Sequence, residues 1–274
     1  MSLANATRSE ATKQFTTSIW WILAIVLVAY VGFTATVLGF VFSAAATGSL
    51  PGEGPSLPAE GLSATLYSAA TAIGYVFPLL IGTLMVTTEF RHKTLTPTFL
   101  ATPKRGLVLW AKILVGVVLG LVLGVIGVAS SVIPSAAFLA AYGLETDFSS
   151  GDTWALFGRM ILAFMLWVLV GIGVGALVRN QVGAIVGVLV FTQFLEPVGR
   201  AAAGFVDGLS DITRFLPGAA SDALVGASLF TTAGAPGMPA QESLAWWIGG
   251  LVLLAYAVVL LALGHLFSWR RDVT

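Results

Sequence analysis

Cysteine is absent from the 274-residue chain. That excludes a disulfide framework, a thiolate metal site and a cysteine nucleophile. Charge is scarce: Asp, Glu, Lys and Arg together make up 9% of the residues, against roughly 25% in soluble domains. So few charges cannot cover the surface of a water-soluble globule, and the same composition excludes a disordered chain and a nucleic-acid binder. Neither sign is in excess, with 13 Lys+Arg against 13 Asp+Glu. There is no polybasic tail to hold the chain on a membrane surface. The two histidines, His92 and His265, lie too far apart for a paired haem site or an H-E-x-x-H zinc helix. The sequence has no G-x-x-x-x-G-K-[ST] phosphate loop and no G-x-S-x-G elbow. The expectation is a chain that is not an enzyme and carries no cofactor or metal of its own.

What is present is apolar. Hydrophobic residues are 57% of the chain, and the mean hydropathy is +0.95. A bilayer core of about 30 Å needs roughly 20 apolar residues as helix. Six stretches qualify, near 17–46, 64–88, 107–133, 154–178, 182–206 and 244–268. The first is longer than the apolar core of a cleaved signal and reads as a span. The third ends at Pro134, and the fifth becomes irregular at Glu196-Pro197. Continuous apolar runs without period-two alternation favour helices over barrel strands. The predicted fold is an all-α polytopic membrane protein with six transmembrane helices, one domain over 1–274. An interfacial segment (1–16) precedes the spans, and the notable connections are 89–104 and 207–243.

Charge sets the orientation. With the N-terminus in the cytoplasm, the inner segments carry Arg8, Lys13, Arg91, Lys93, Lys104, Arg105, Lys112, Arg179, Arg270 and Arg271, while Arg159, Arg200 and Arg214 fall outside. This is the positive-inside bias, and it puts both termini in the cytoplasm. Acids split the other way: Glu53, Glu60, Glu145, Asp147, Asp152, Glu196, Asp207, Asp211, Asp222 and Glu242 lie outside. Tryptophans mark the interfaces, and Trp167 alone is deep. The 48–63 connection, with Pro51, Pro55 and Pro58, reads as a linker.

Few polar residues enter the spans. Glu196 and Arg200 stand four apart, with Gln193 three before the glutamate. They form either a polar lining at an outer gate or a structural ion pair. Arg159 and Lys112 can snorkel to opposite interfaces without a function. Glycines recur at four-residue spacing: Gly116, Gly120 and Gly124; Gly171 and Gly175; Gly183 and Gly187. Such spacing serves packing within the chain or a dimer seam. In the outer connection, Pro217-Gly218 breaks two short apolar pieces ending at Leu216 and running through Leu229 and Phe230. Ser210 and Ser221 are the expected N-caps of two short interfacial or re-entrant helices.

The inner connection reads Glu89-Phe90-Arg91-His92-Lys93-Thr94-Leu95, then Leu100-Ala101-Thr102-Pro103-Lys104-Arg105, and reaches Ala111-Lys112. It resembles the inner loop of type-2 ATP-binding-cassette permeases. Their pattern is close to E-F-R-x-x-T, a hydrophobic stretch, a Thr/Ser-Pro with a basic residue, then A-K. Lys93 stands where glycine is frequent in that pattern. The six-span layout matches over nearly the whole chain. The resemblance implies a bacterial export permease subunit of the plasma membrane. It would pair with a second copy or a paralogue and dock on two cytoplasmic ATPase subunits that bind ATP and Mg. It further implies a coupling helix after the second span, with Glu89, Arg91, His92, Lys93 and Thr94 as polar contacts and Phe90 and Phe99 as buried anchors. The segment before the first span would lie along the inner face. The cargo would be amphipathic or hydrophobic: drugs, peptides or lipid-linked glycans. A gradient-driven transporter and a non-transporting assembly factor or sensor are the alternatives.

Overall fold

The computed structural model describes residues 2–49, 58–102, 104–203, 205–206, 208–227 and 244–269. Every regular element among them is helical. In chain order these are α1 (Leu3–Thr16), α2 (Ile19–Ala46), α3 (Leu62–Tyr67), α4 (Ala69–Gly74), α5 (Val76–Arg91), α6 (Leu95–Ala101), α7 (Arg105–Ala141) and α8 (Gly151–Leu177). Then come α9 (Gln181–Val190), a π turn (Phe191–Leu195), α10 (Glu196–Ala202), α11 (Leu209–Thr213), α12 (Pro217–Val225) and α13 (Trp246–Gly264), which runs into a second π turn (His265–Trp269). Six helices or helix series are long and apolar enough to cross a membrane: α2, α3–α5, α7, α8, α9–α10 and α13. Of the residues singled out in the sequence, Pro51, Glu53, Pro55, Pro103, Asp207, Leu229, Phe230, Glu242, Arg270 and Arg271 lie outside the described residues.

Three local expectations are corrected. The third span does not stop at Pro134; α7 passes through it to Ala141. The turn beyond the proline is held by packing, because Leu139 is buried and Phe138 meets the Phe40 ring edge-on at 5.9 Å. Gly39 makes room for it, since a Cβ there would stand 3.3 Å from Phe138 Cδ2. Pro217-Gly218 does not break the outer connection but opens α12, with Pro217 in its first turn. Proline fits there because its ring presets the helical φ and its missing N–H is not needed. Ser210 and Ser221 therefore sit inside α11 and α12 rather than capping them.

The second span is segmented at Ser68 and Tyr75. Hydroxyls from other spans take up carbonyls at the irregular points. Ser131 of α7 donates to the Tyr67 carbonyl at 2.8 Å. Tyr75 donates to the Thr192 carbonyl at 2.9 Å, inside the π turn that precedes Pro197. Buried backbone acceptors at irregular points in apolar surroundings require such partners.

The glycine stripes of α7 and α8 are used within the chain. α8 is the central helix, and α5 and α7 approach it at backbone distance. A Cβ at Gly171 would strike the Leu79 carbonyl oxygen, and one at Gly175 would lie 2.6 Å from that of Thr83. On α7, a Cβ at Gly116 would stand 2.5 Å from Ile172 Cδ1, one at Gly120 2.6 Å from Met165 Cα, and one at Gly124 3.0 Å from Ile161 Cα. These five glycines face α5–α8 and α7–α8 contacts and are not available to a second copy. Close-packed backbones cannot absorb an added side chain, so Gly120→Val is expected to lower stability by about 2–3 kcal/mol. Thermal unfolding in detergent measures it; an unchanged midpoint would contradict the close α7–α8 contact.

Candidate functional site

Four charges meet at the end of the bundle that carries α1 and α6. Ser2 starts α1, its Oγ accepting the Asn5 N–H at 3.3 Å. Glu10 and Lys13 then fall one turn apart on α1. Glu89 lies in the last turn of α5, and Lys112 about two turns into α7. Lys112 is fully buried, and Glu10 and Glu89 are nearly so. The Lys112 Nζ donates to Glu10 Oε1 at 2.6 Å and to the Met85 carbonyl at 3.0 Å. It also makes ion-pair contact with Glu89 Oε2 at 3.1 Å. Lys13 Nζ donates to Glu89 Oε1 at 3.0 Å and to Thr98 Oγ1 of α6 at 3.3 Å, and stands 3.6 Å from Glu10 Oε2.

The charges stabilise one another. Burial alone would raise the Glu10 pKa, but the Lys112 ammonium and its hydrogen bond, then Lys13, outweigh it and hold the carboxyl below its ordinary value. Burial alone would lower the Lys13 pKa, but Glu89 and Glu10 outweigh it and raise the ammonium above its ordinary value. Both groups are therefore ionised at neutral pH. Lys112 does not snorkel to an interface, as its sequence position predicted; it is the centre of this cluster.

The same cluster roots α6. Thr94 sits at the N-terminal boundary of α6, Leu95 is buried beneath the helix, and Phe90 and Phe99 pack half-buried against the chain's own core. Arg105 lies over the Phe99 ring, 5.1 Å from its centroid. Lys93 adopts φ 54°, the left-handed region where glycine is preferred. Facing outward are Arg91, His92, Lys93 and Thr94, together with Thr96, Pro97 and above all Leu100, which is 79% exposed. Glu89 points inward and is taken up by the two lysines. Leu100, which the sequence did not single out, is the most exposed large apolar side chain of α6 among the described residues.

A second polar cluster joins α10 to α12. Glu196 is buried, and its Oε1 accepts the Ala219 N–H at 3.0 Å in the first turn of α12. Gly218 permits the approach, since a Cβ there would lie 2.5 Å from that oxygen. A carboxylate at a helix N-terminus is favoured by the unpaired amides and the helix dipole. One turn further on, Arg200 pairs with Asp222 at 2.7 Å. The helix does continue through Pro197, yet both side chains reach across to α12. Gln193 is exposed on another face, with a 3.4 Å contact to Thr192 Oγ1. α12 is held on two further sides. Trp167 Nε1 donates to Ser221 Oγ at 3.1 Å, and Gly249 of α13 lies against Ala220 and Leu224. Tyr75 packs on Trp167 with ring centroids 4.6 Å apart.

The chain matches no family model, and no curated protein matches it.

Proposed function

We propose that the chain is the permease subunit of an export system of the ATP-binding-cassette kind. It pairs with a second copy or a paralogue and is driven by two separate cytoplasmic ATPase subunits. The observation that carries this reading is α6: a short exposed helix between the second and third spans, joined to the four-charge cluster by the Lys13–Thr98 bond. A mechanical input needs an element open to a partner on one side and tied to the bundle on the other, and α6 is tied by that bond, by buried Leu95 and by Phe99 on the core. Arg91, His92 and Lys93 offer donors and Leu100 an apolar knob. α6 is then the coupling helix, with the α1 end of the bundle in the cytoplasm, as the positive-inside bias favours.

In the same reading α11 and α12 form a re-entrant outer gate. The start of α12 reaches Glu196, and Ser221 reaches Trp167, which lies well inside the fourth span. Glu196 and Arg200 latch the gate to the fifth span. A dimer seam along α9 is supported by Gly187, which has nothing within 4 Å, and Gly183, which meets only its own N-cap Asn180 there, unlike the glycines of α7 and α8. The cargo class remains amphipathic or hydrophobic.

The orientation is tested with single cysteines, which are unique in a cysteine-free chain. Leu100→Cys is expected to react with an impermeant maleimide only after cells are opened, and Glu145→Cys in intact cells. Labelling of Leu100→Cys from outside would end this reading. The buried carboxylate Glu196 favours a gradient-driven transporter as second reading. Proton-driven transport by the reconstituted chain alone would establish it.

A further inference from the structure

The four charges at the α1 end form a square in which each carboxylate touches both ammonium groups. In the observed state the shortest contacts cross between α1 and the bundle: Glu10 to Lys112 at 2.6 Å and Lys13 to Glu89 at 3.0 Å. The other two contacts stay on one side. Glu10 and Lys13 belong to the same helix, one turn apart, at 3.6 Å. Glu89 and Lys112 belong to adjoining spans, at 3.1 Å.

From this geometry we infer that α1 is a releasable clasp, which undocks by parting the two cross pairs while the two same-side pairs stay closed. When α1 leaves, Glu89 and Lys112 remain as a pair within the bundle, and Glu10 and Lys13 as a pair on α1. Neither side is left with a bare buried charge, which is the usual penalty for parting a buried ion pair. α1 also packs along α7, with Ala6 and Glu10 buried and Ala11 half-buried against the core. The apolar side chains there are small, and the cross pairs are the charged part of the docking contact. Release also breaks the link from Lys13 to Thr98 and thereby frees one side of α6. That last consequence for a partner rests on the permease reading; the release itself does not.

Two variants separate the clasp from a static anchor. Lys13→Gln removes a cross pair while leaving Glu89 and Lys112 to each other. Added to Lys13→Gln, where no cross pair to Glu89 remains, Glu89→Gln removes the carboxylate that compensates Lys112 once α1 has left, so release would strand a buried ammonium. Hydrogen exchange of the α1 backbone amides is measured on the purified full chain in lipid nanodiscs. The clasp predicts faster exchange in Lys13→Gln, and exchange about tenfold slower in Lys13→Gln/Glu89→Gln than in Lys13→Gln alone. A static anchor has no contact with Glu89 left to lose once Lys13 is gone, so equal exchange in the single and double variants would overturn the inference. Faster exchange in the double variant would overturn it as well. An ATPase that fails to co-purify would end the permease reading and leave this result standing.

Discussion

Lys112→Gln is expected to be the most damaging single substitution at the α1 end, lowering stability by about 3–5 kcal/mol. The lysine is fully buried and holds Glu10, the Met85 carbonyl and Glu89 together. Without it two buried carboxylates share one half-exposed lysine. An uncompensated buried charge is more destabilising than a missing pair, because desolvation is no longer offset. The double variant Glu10→Leu/Lys112→Met removes both charges and keeps the volume apolar. It should return to within about 1.5 kcal/mol of the unsubstituted chain, as apolar replacements of buried pairs often do. Thermal unfolding in detergent measures both. A Lys112→Gln midpoint equal to that of the unsubstituted chain would contradict the ionic cluster.

Leu100→Asp acts on assembly and spares the fold. Its side chain stands in solvent, so the isolated chain should unfold within about 0.5 kcal/mol of the unsubstituted one. On the permease reading, a charged group then replaces the exposed apolar side chain that α6 offers the ATPase. Loss of such an anchor is worth at least about 2 kcal/mol, or roughly 30-fold in affinity. Phe99→Asp should behave differently, because that ring is packed into the chain's own core and carries Arg105 above it. It should unfold α6 and lower the melting point. Binding titrations with the purified ATPase, alongside melting curves, distinguish the two positions. An unchanged affinity for Leu100→Asp would remove Leu100 from the interface.

The six long apolar helices were legible in the sequence because the bilayer dictates their length and permits no other continuous apolar structure. Their ends were less so. Helix α7 runs past Pro134 because packing against α2 outweighs the local rule against proline, and no local pattern records that contact. Proline signals misled again at Pro217, where the same residue that ends helices also starts them. The short α6 helix could be read from the mix of charged and apolar residues in its segment. The clusters could not. Lys112 and Glu10 lie 102 residues apart, and a lone lysine in an apolar run looks like one that snorkels. Arg200 and Asp222 are 22 apart, so the four-residue spacing of Glu196 and Arg200 gives no sign that both side chains reach across to α12. The glycine spacing was visible, but which stripes are filled from within the chain depends on which helices touch.

The most direct test of the permease reading is purification of the chain from its own membranes with its natural companions retained. The account predicts two ATPase subunits carrying a phosphate loop for every two copies of this chain or its paralogue, and their loss from the Leu100→Asp variant. A chain that emerges without any ATPase, and that moves an amphipathic cargo across reconstituted vesicles unaided, would contradict it.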